Sequence, residues 1–218
     1  MPASSIAHDD DAAPESARRV VEPSPAPVVN GAWFVTARRQ ILETYGEDGL
    51  ERVIARLGEE HAEALVDPAP SSWYSELAFQ AAITAVAEEL ARGDADEYAA
   101  FIEACTVAGV NRFLRVALLF TSVEFLLRKM PALWGRHRRN HGRLEVDVGR
   151  RRALLSYTGF PFFHDRNYRL MIVAVLRKTL EITTSRRPDV TVRDFGPDSM
   201  VAEVFYGACA PRPPKDRG

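Results

Sequence analysis

Cysteine is scarce in this chain of 218 residues: only Cys105 and Cys209 occur, and neither stands in a C-x-x-C pair. That excludes a disulfide scaffold, argues against a thiolate-held structural metal, and suits a reducing, cytoplasmic setting. Long apolar runs are missing as well. The longest is Leu170 to Leu176, far short of the roughly 20 residues that span a bilayer. Charge of one sign is not in excess: 28 Lys and Arg face 30 Asp and Glu, a net charge of -2. No general attraction to nucleic acid or to an acidic membrane follows. None of G-x-G-x-x-G, G-x-x-x-x-G-K, G-x-S-x-G or H-E-x-x-H occurs, so the usual cofactor, nucleophile and zinc patterns are excluded. No enzyme activity and no cofactor are expected. What remains is 46% hydrophobic and 27% charged, ordinary for a globular chain that buries a sizeable core.

The two ends read differently from the middle. Residues 1–30 hold Pro14, Pro23, Pro25, Pro27 and the acidic run Asp9-Asp10-Asp11 without any apolar period. Ordering such a stretch gains little to offset the entropy lost, so a disordered leader is expected. Residues 207–218 form a proline-rich polar tail. The folded unit is expected to span 31–206 as one domain.

The first half of that unit is patterned for helices. Trp33, Ala37, Ile41 and Tyr45 recur on one face before Gly46. Leu50, Val53, Ile54 and Leu57 precede Gly58, and a brief helical piece follows over Glu59 to Val66. Pro68 and Pro70 then break the chain, with Ser71 or Ser72 placed to cap a helix through Leu77, Ile83 and Leu90. Asp94-x-x-Glu97 and Thr121-x-x-Glu124 read as capping boxes for two more helices. A mostly apolar segment, Val110 to Phe120, lies between them. Pro131 falls inside the last helix and is expected to kink or break it near Arg128.

From Arg143 the period becomes two. Leu144, Val146 and Val148 alternate with acids, and Arg152 to Tyr157 supplies a partner strand. After the loop Tyr157 to Phe163, Asp165 can cap a long helix over Arg166 to Ser185. Val190 to Phe195 and Val201 to Phe205 flank the turn Gly196-Pro197-Asp198-Ser199. The fold class expected is α+β: a helical half, then a four-stranded antiparallel sheet in the order ββαββ, with the helix packed on it.

Three features carry the candidate chemistry. Trp134, Tyr157, Phe162, Phe163, Tyr168 and Met171 could line an apolar pocket, with Phe160 beside them, although residue burial preferences favour plain core between helix and sheet. Arg128 to Arg152 carries nine Lys and Arg residues against Glu145 and Asp147 alone. Within it Arg136, Arg138, Arg139, Arg143, Arg150, Arg151 and Arg152 form a candidate anion- or partner-binding surface, or a solvated helix end. His137 and His141 have metal-ligand spacing, but the surrounding arginines repel a cation, so solvated helix-end histidines and no metal are expected.

Several stretches are similar to a paralogous family of uncharacterised myxobacterial proteins: Gly31 to Arg39, Asn111-Arg112-Phe113, Met130 to Trp134, Tyr157 to Phe163 and Gly196 to Ser199. More remotely, the element order resembles the haem–nitric oxide/oxygen-binding (H-NOX) fold, shared with 4-vinyl-reductase-type ligand-binding domains and TRAPP-like tethering subunits. The H-NOX resemblance implies a proximal histidine where Trp134 stands, with His137 one turn onward. It also implies a Tyr-x-Ser-x-Arg motif where this chain has Tyr157-Thr158-Gly159-Phe160-Pro161. Neither departure favours haem. The expected function is a non-enzymatic sensor or adaptor, with a small apolar ligand held between helix and sheet. The alternatives are a pure interaction module with a protein partner or a second copy of the chain, and a haem-based gas sensor. No nucleic acid partner and no membrane span are expected.

Overall fold

A computed structural model describes residues 25–110, 118, 121–184 and 187–207. Strand β1, Val28–Asn30, opens the described chain. It lies inside the stretch read as leader, because Val29 is wholly buried and anchors it. Helix α1, Ala32–Leu57, follows, with Asn30 Oδ1 accepting from Ala32 N at 3.0 Å. At Gly46 the helix breaks as the sequence predicts: φ is 69°, a conformation that glycine alone adopts without strain. Helix α2 spans Glu59–Val66.

Strand β2, Trp73–Ser75, then leads into helix α3, Glu76–Ala85. The cap is Ser75, whose Oγ accepts from Leu77 N at 3.1 Å, not Ser71 or Ser72. The strand occupies the residues between, so the helix starts later. A π-helical turn, Val86–Leu90, extends α3. Helix α4, Ala95–Gly109, starts at Asp94, whose Oδ1 accepts from Asp96 N and Glu97 N at 2.7 and 3.0 Å. Those two bonds lower the Asp94 carboxyl below its ordinary value. Most of Val110 to Phe120 lies outside the described residues.

Helix α5, Val123–His137, is capped by Ser122, which accepts from Phe125 N at 3.2 Å, rather than by Thr121. It runs unbroken across Pro131 to His137, so of the kink or break expected near Arg128 the break does not occur. Buried Leu126, Leu127, Met130 and Trp134 hold both sides of the proline in one face. The tertiary packing of that face outweighs the one lost donor. The helix passes directly into strand β3, Arg138–Arg139.

The second half follows its alternation. Strands β4, Arg143–Val148, and β5, Arg152–Thr158, form a hairpin. Gly142 enters β4 at φ 68°, where any Cβ would meet the Thr158 carbonyl oxygen. Helix α6, Arg166–Thr184, starts where Asp165 Oδ1 accepts from Asn167 N at 2.7 Å. Strands β6, Asp189–Phe195, and β7, Ser199–Phe205, complete an antiparallel sheet of order β4-β5-β7-β6. Its inner face carries Ala153, Leu155 and Tyr157 on β5, and Met200, Ala202 and Val204 on β7. Leu144, Tyr157 and Met200 stand side by side in register. The architecture is α+β, as predicted. One small sheet, β2-β1-β3, is an addition to that expectation. Its strands are two or three residues long, too short to show a period.

Candidate functional site

Helices α1, α4, α5 and α6 and the first strands of the sheet line a cavity of about 470 Å³ that opens to solvent on one side. That lies within the range of small-molecule sites, about 300–1,000 Å³. Two helix faces make most of the wall. On α5, Leu126, Met130, Leu133, Trp134 and His137 recur at spacings of three and four. On α6, Met171, Ile172, Val175, Leu176 and Thr179 do the same. Trp33 and Thr36 come from α1, and Cys105 and Thr106 from α4. Among the described lining residues, Gly109, Phe125 and Lys129 reach solvent and mark the rim. Phe125 is 54% exposed, and Lys129 Nζ lies 5.4 Å from its ring centre.

Of the six pocket candidates, Trp134, Tyr157 and Met171 line this space. Phe162, Phe163 and Tyr168 do not. They pack with Phe160 in a dense cluster whose ring centres lie 5.1–6.1 Å apart. Sequence reasoning passed over Trp33, Thr36, Cys105, Val175 and Thr179 as wall residues. The signal was present in the i, i+4 stripe of α6, but a stripe does not say whether it meets atoms or space.

Arg138 was expected at the surface and is instead interior, 3% exposed. Its Nε and Nη2 donate to the Tyr168 hydroxyl at 3.3 and 2.9 Å, and Nε lies 3.5 Å from Glu76 Oε1. The Tyr168 hydroxyl in turn donates to Glu76 in a very short bond. Burial pushes that hydroxyl well above its ordinary pKa, so it stays a donor. The guanidinium carbon stands 4.2 Å from the Trp134 ring centre and within 6 Å of those of Phe79, Trp33 and Tyr168. A buried charge survives here because it is paired and boxed by aromatic faces.

The other basic candidates remain outside. Arg143 pairs with Glu145 at 2.6 Å, Arg152 with Glu203 at 3.3 Å, and Arg139 covers the Trp73 ring at 4.0 Å. Arg136, Arg150 and Arg151 are exposed.

The two histidines are not solvated as expected. His137 is half-buried with its ring edge-on to Trp33 at 5.9 Å; burial, then Arg138 and Arg136, lowers its pKa. His141 packs on Trp134 at 5.9 Å and is lowered by burial. Among the described residues no cluster of His, Cys, Asp and Glu could hold a metal. Burial pushes the Cys105 thiol up to about 12, so it is no thiolate.

No family model matches the chain, and no curated protein does. The similarity to the myxobacterial proteins therefore rests on the quoted stretches alone. Solved structures do match. An Fe(II) unliganded H-NOX protein from K. algicida shares 11% identity, over 83% of this chain and 97% of that one, with a TM-score of 0.59. An oxygen-binding H-NOX domain related to soluble guanylate cyclases shares 12%, over 82% and 95%, at 0.54. A structure probing haem distortion in the H-NOX family shares 11%, over 84% and 97%, at 0.58. This chain therefore has the H-NOX-like fold.

That fold implies haem, and the residues present do not meet the family's pattern. Trp134 offers an indole N–H, a donor with no lone pair for iron, and that N–H is buried without a partner. Gly159 and Pro161 stand where the motif has serine and arginine, and neither has a side-chain donor. Arg138, the buried cation of the lining, is already held by Glu76 and Tyr168. The imidazole on the described lining is that of His137.

Proposed function

We propose that this domain is a non-enzymatic sensor or adaptor whose cavity receives a small apolar molecule without haem. The observation that carries the proposal is the cavity itself, about 470 Å³ walled largely by aliphatic and aromatic side chains. An apolar recess of this size, open at one rim, keeps water against aliphatic and aromatic surface unless a guest or partner covers it. A pure interaction module has no need of it.

The wall also suggests how occupancy is transmitted. Leu133, Trp134 and His137 lie on the last turns of α5, and that helix passes without a loop into β3, which pairs with β1. A guest that presses on Trp134 acts on the segment that also holds Arg138 and the small sheet. Differential contact in the two states shifts their populations. Exposed Arg136, Arg150 and Arg151 are the remaining candidates for an acidic partner.

Thermal unfolding with and without naphthalene tests this. Binding raises the melting temperature, because a ligand that prefers the folded state stabilises it by mass action. Val175→Phe, which puts a ring into the cavity, removes the shift while the variant still folds. No shift in the parent protein would overturn the proposal. The haem reading has one observation in its favour, the His137 imidazole on the lining, neutral because burial lowers its pKa. A Soret band after haem addition that disappears in His137→Ala would put that reading first.

Among the described residues no helix is long and apolar enough to cross a membrane.

A further inference from the structure

Resting on the cavity reading above, we infer that the guest carries a neutral carbonyl oxygen, which accepts a hydrogen bond from the Tyr157 hydroxyl at the buried end of the cavity.

Tyr157 stands apart from the other buried tyrosines, Tyr98 and Tyr168. Tyr98 donates to the Asn167 carbonyl at 3.3 Å, Tyr168 to Glu76, and Tyr206 to the Gly149 carbonyl at 2.5 Å; Tyr74 accepts from Ala69 N at 2.9 Å. The Tyr157 ring is fixed as firmly as any of these. It stands between Leu144 and Met200 in the sheet register, with Trp134 edge-on at 5.2 Å and Phe163 tilted against it at 5.3 Å. It is 3% exposed and lines the cavity, onto which its hydroxyl opens, and no hydrogen bond joins that hydroxyl to another described residue. Burial pushes its pKa up, so the group there is an O–H and not a phenolate. An O–H that faces an apolar recess and has no protein acceptor is available to an acceptor on the guest.

The neighbouring charges decide what kind of acceptor. Arg138 is the buried cation of the lining and is a donor only. Its charge is already balanced by Glu76, reached both directly and through Tyr168. A carboxylate brought beside it would be a second anion for one cation, buried and uncompensated. His137 is kept neutral by burial and by Arg136 and Arg138, and Lys129 sits at the exposed rim. A ketone, aldehyde or ester oxygen meets the free O–H without adding charge. The apolar remainder of the guest would then lie along Leu133, Val175 and Leu176 toward Phe125.

Three probes of one shape separate the outcomes: 2-acetylnaphthalene, 2-isopropenylnaphthalene and 2-naphthoate, titrated into the full chain by calorimetry. The ketone is expected to bind roughly 2- to 10-fold tighter than the alkene, the worth of one hydrogen bond. In Tyr157→Phe the preference falls to parity and alkene affinity is retained. The infrared carbonyl stretch of the bound ketone lies at lower frequency in the parent protein than in hexane, which decides the matter even if the variant fails to fold. Equal binding of ketone and alkene with an unshifted stretch overturns the inference and leaves the cavity reading standing. So does a preference that survives Tyr157→Phe, or naphthoate binding more tightly than the ketone. Binding of none of the three overturns both.

Discussion

Two groups of aromatic side chains sit back to back in this molecule and do opposite things. Phe160, Phe162, Phe163 and Tyr168 fill the space between the sheet and α6, ring against ring, with exposures of 5% or less. Trp134 and Tyr157 are nearly as buried, and Trp33 is half-buried, but all three border a cavity of about 470 Å³. Tyr157 touches both groups, through Phe163 on one side and Trp134 on the other. Burial from solvent is therefore not the same as contact with neighbours. In one group aromatic area stabilises the fold, and in the other it stabilises only when something else supplies the second surface.

Mutations should expose that difference, starting at the joint between the groups. Glu76→Ala leaves Arg138 buried without its counter-charge and is expected to cost about 3–5 kcal/mol by chemical denaturation. A loss below about 1 kcal/mol would mean that the pair is not sequestered as described. Phe160→Ala, in the packed group, should cost a similar ~3–5 kcal/mol. Leu133→Ala, on the cavity wall, should cost less than the ~2 kcal/mol at which buried leucine truncations begin, because the removed atoms already faced space. Equal losses at Phe160 and Leu133 would erase the contrast.

The smallest expected effect concerns pH. His137 and His141 both titrate below the ordinary value of 6.5 in the folded chain, chiefly through burial. As pH falls through that value the unfolded chain takes up protons first, so stability drops; it is fully present above that range. His137→Phe should flatten the slope of melting temperature against pH between about 5 and 7. An unchanged slope would assign the acid sensitivity elsewhere.

Much of the fold can be read from the sequence because its signals are local. The helix ends at Gly46 and Gly58, the Asp94 and Asp165 caps and the two hairpins each rest on neighbouring residues. What could not be read depends on distant partners. Arg138 sits in a run of arginines, and only the fold brings Glu76 to it. Strands β1, β2 and β3 are too short for a period and form only because α5 delivers β3 beside β1. Pro131 was expected to kink or break its helix, and its buried neighbours keep that helix unbroken. The six pocket candidates divide in half for the same reason: sequence marks an aromatic side chain as interior, and only the packing decides whether it meets atoms or a void.

The central claim is that the volume behind Trp134 exists to be occupied. Crystals grown with 2-acetylnaphthalene test it most directly. The account predicts density for the probe bounded by Leu133, Trp134, Tyr157 and Val175, with its carbonyl toward the Tyr157 hydroxyl. Those four side chains closed against one another, with no space between them and no probe, would contradict it.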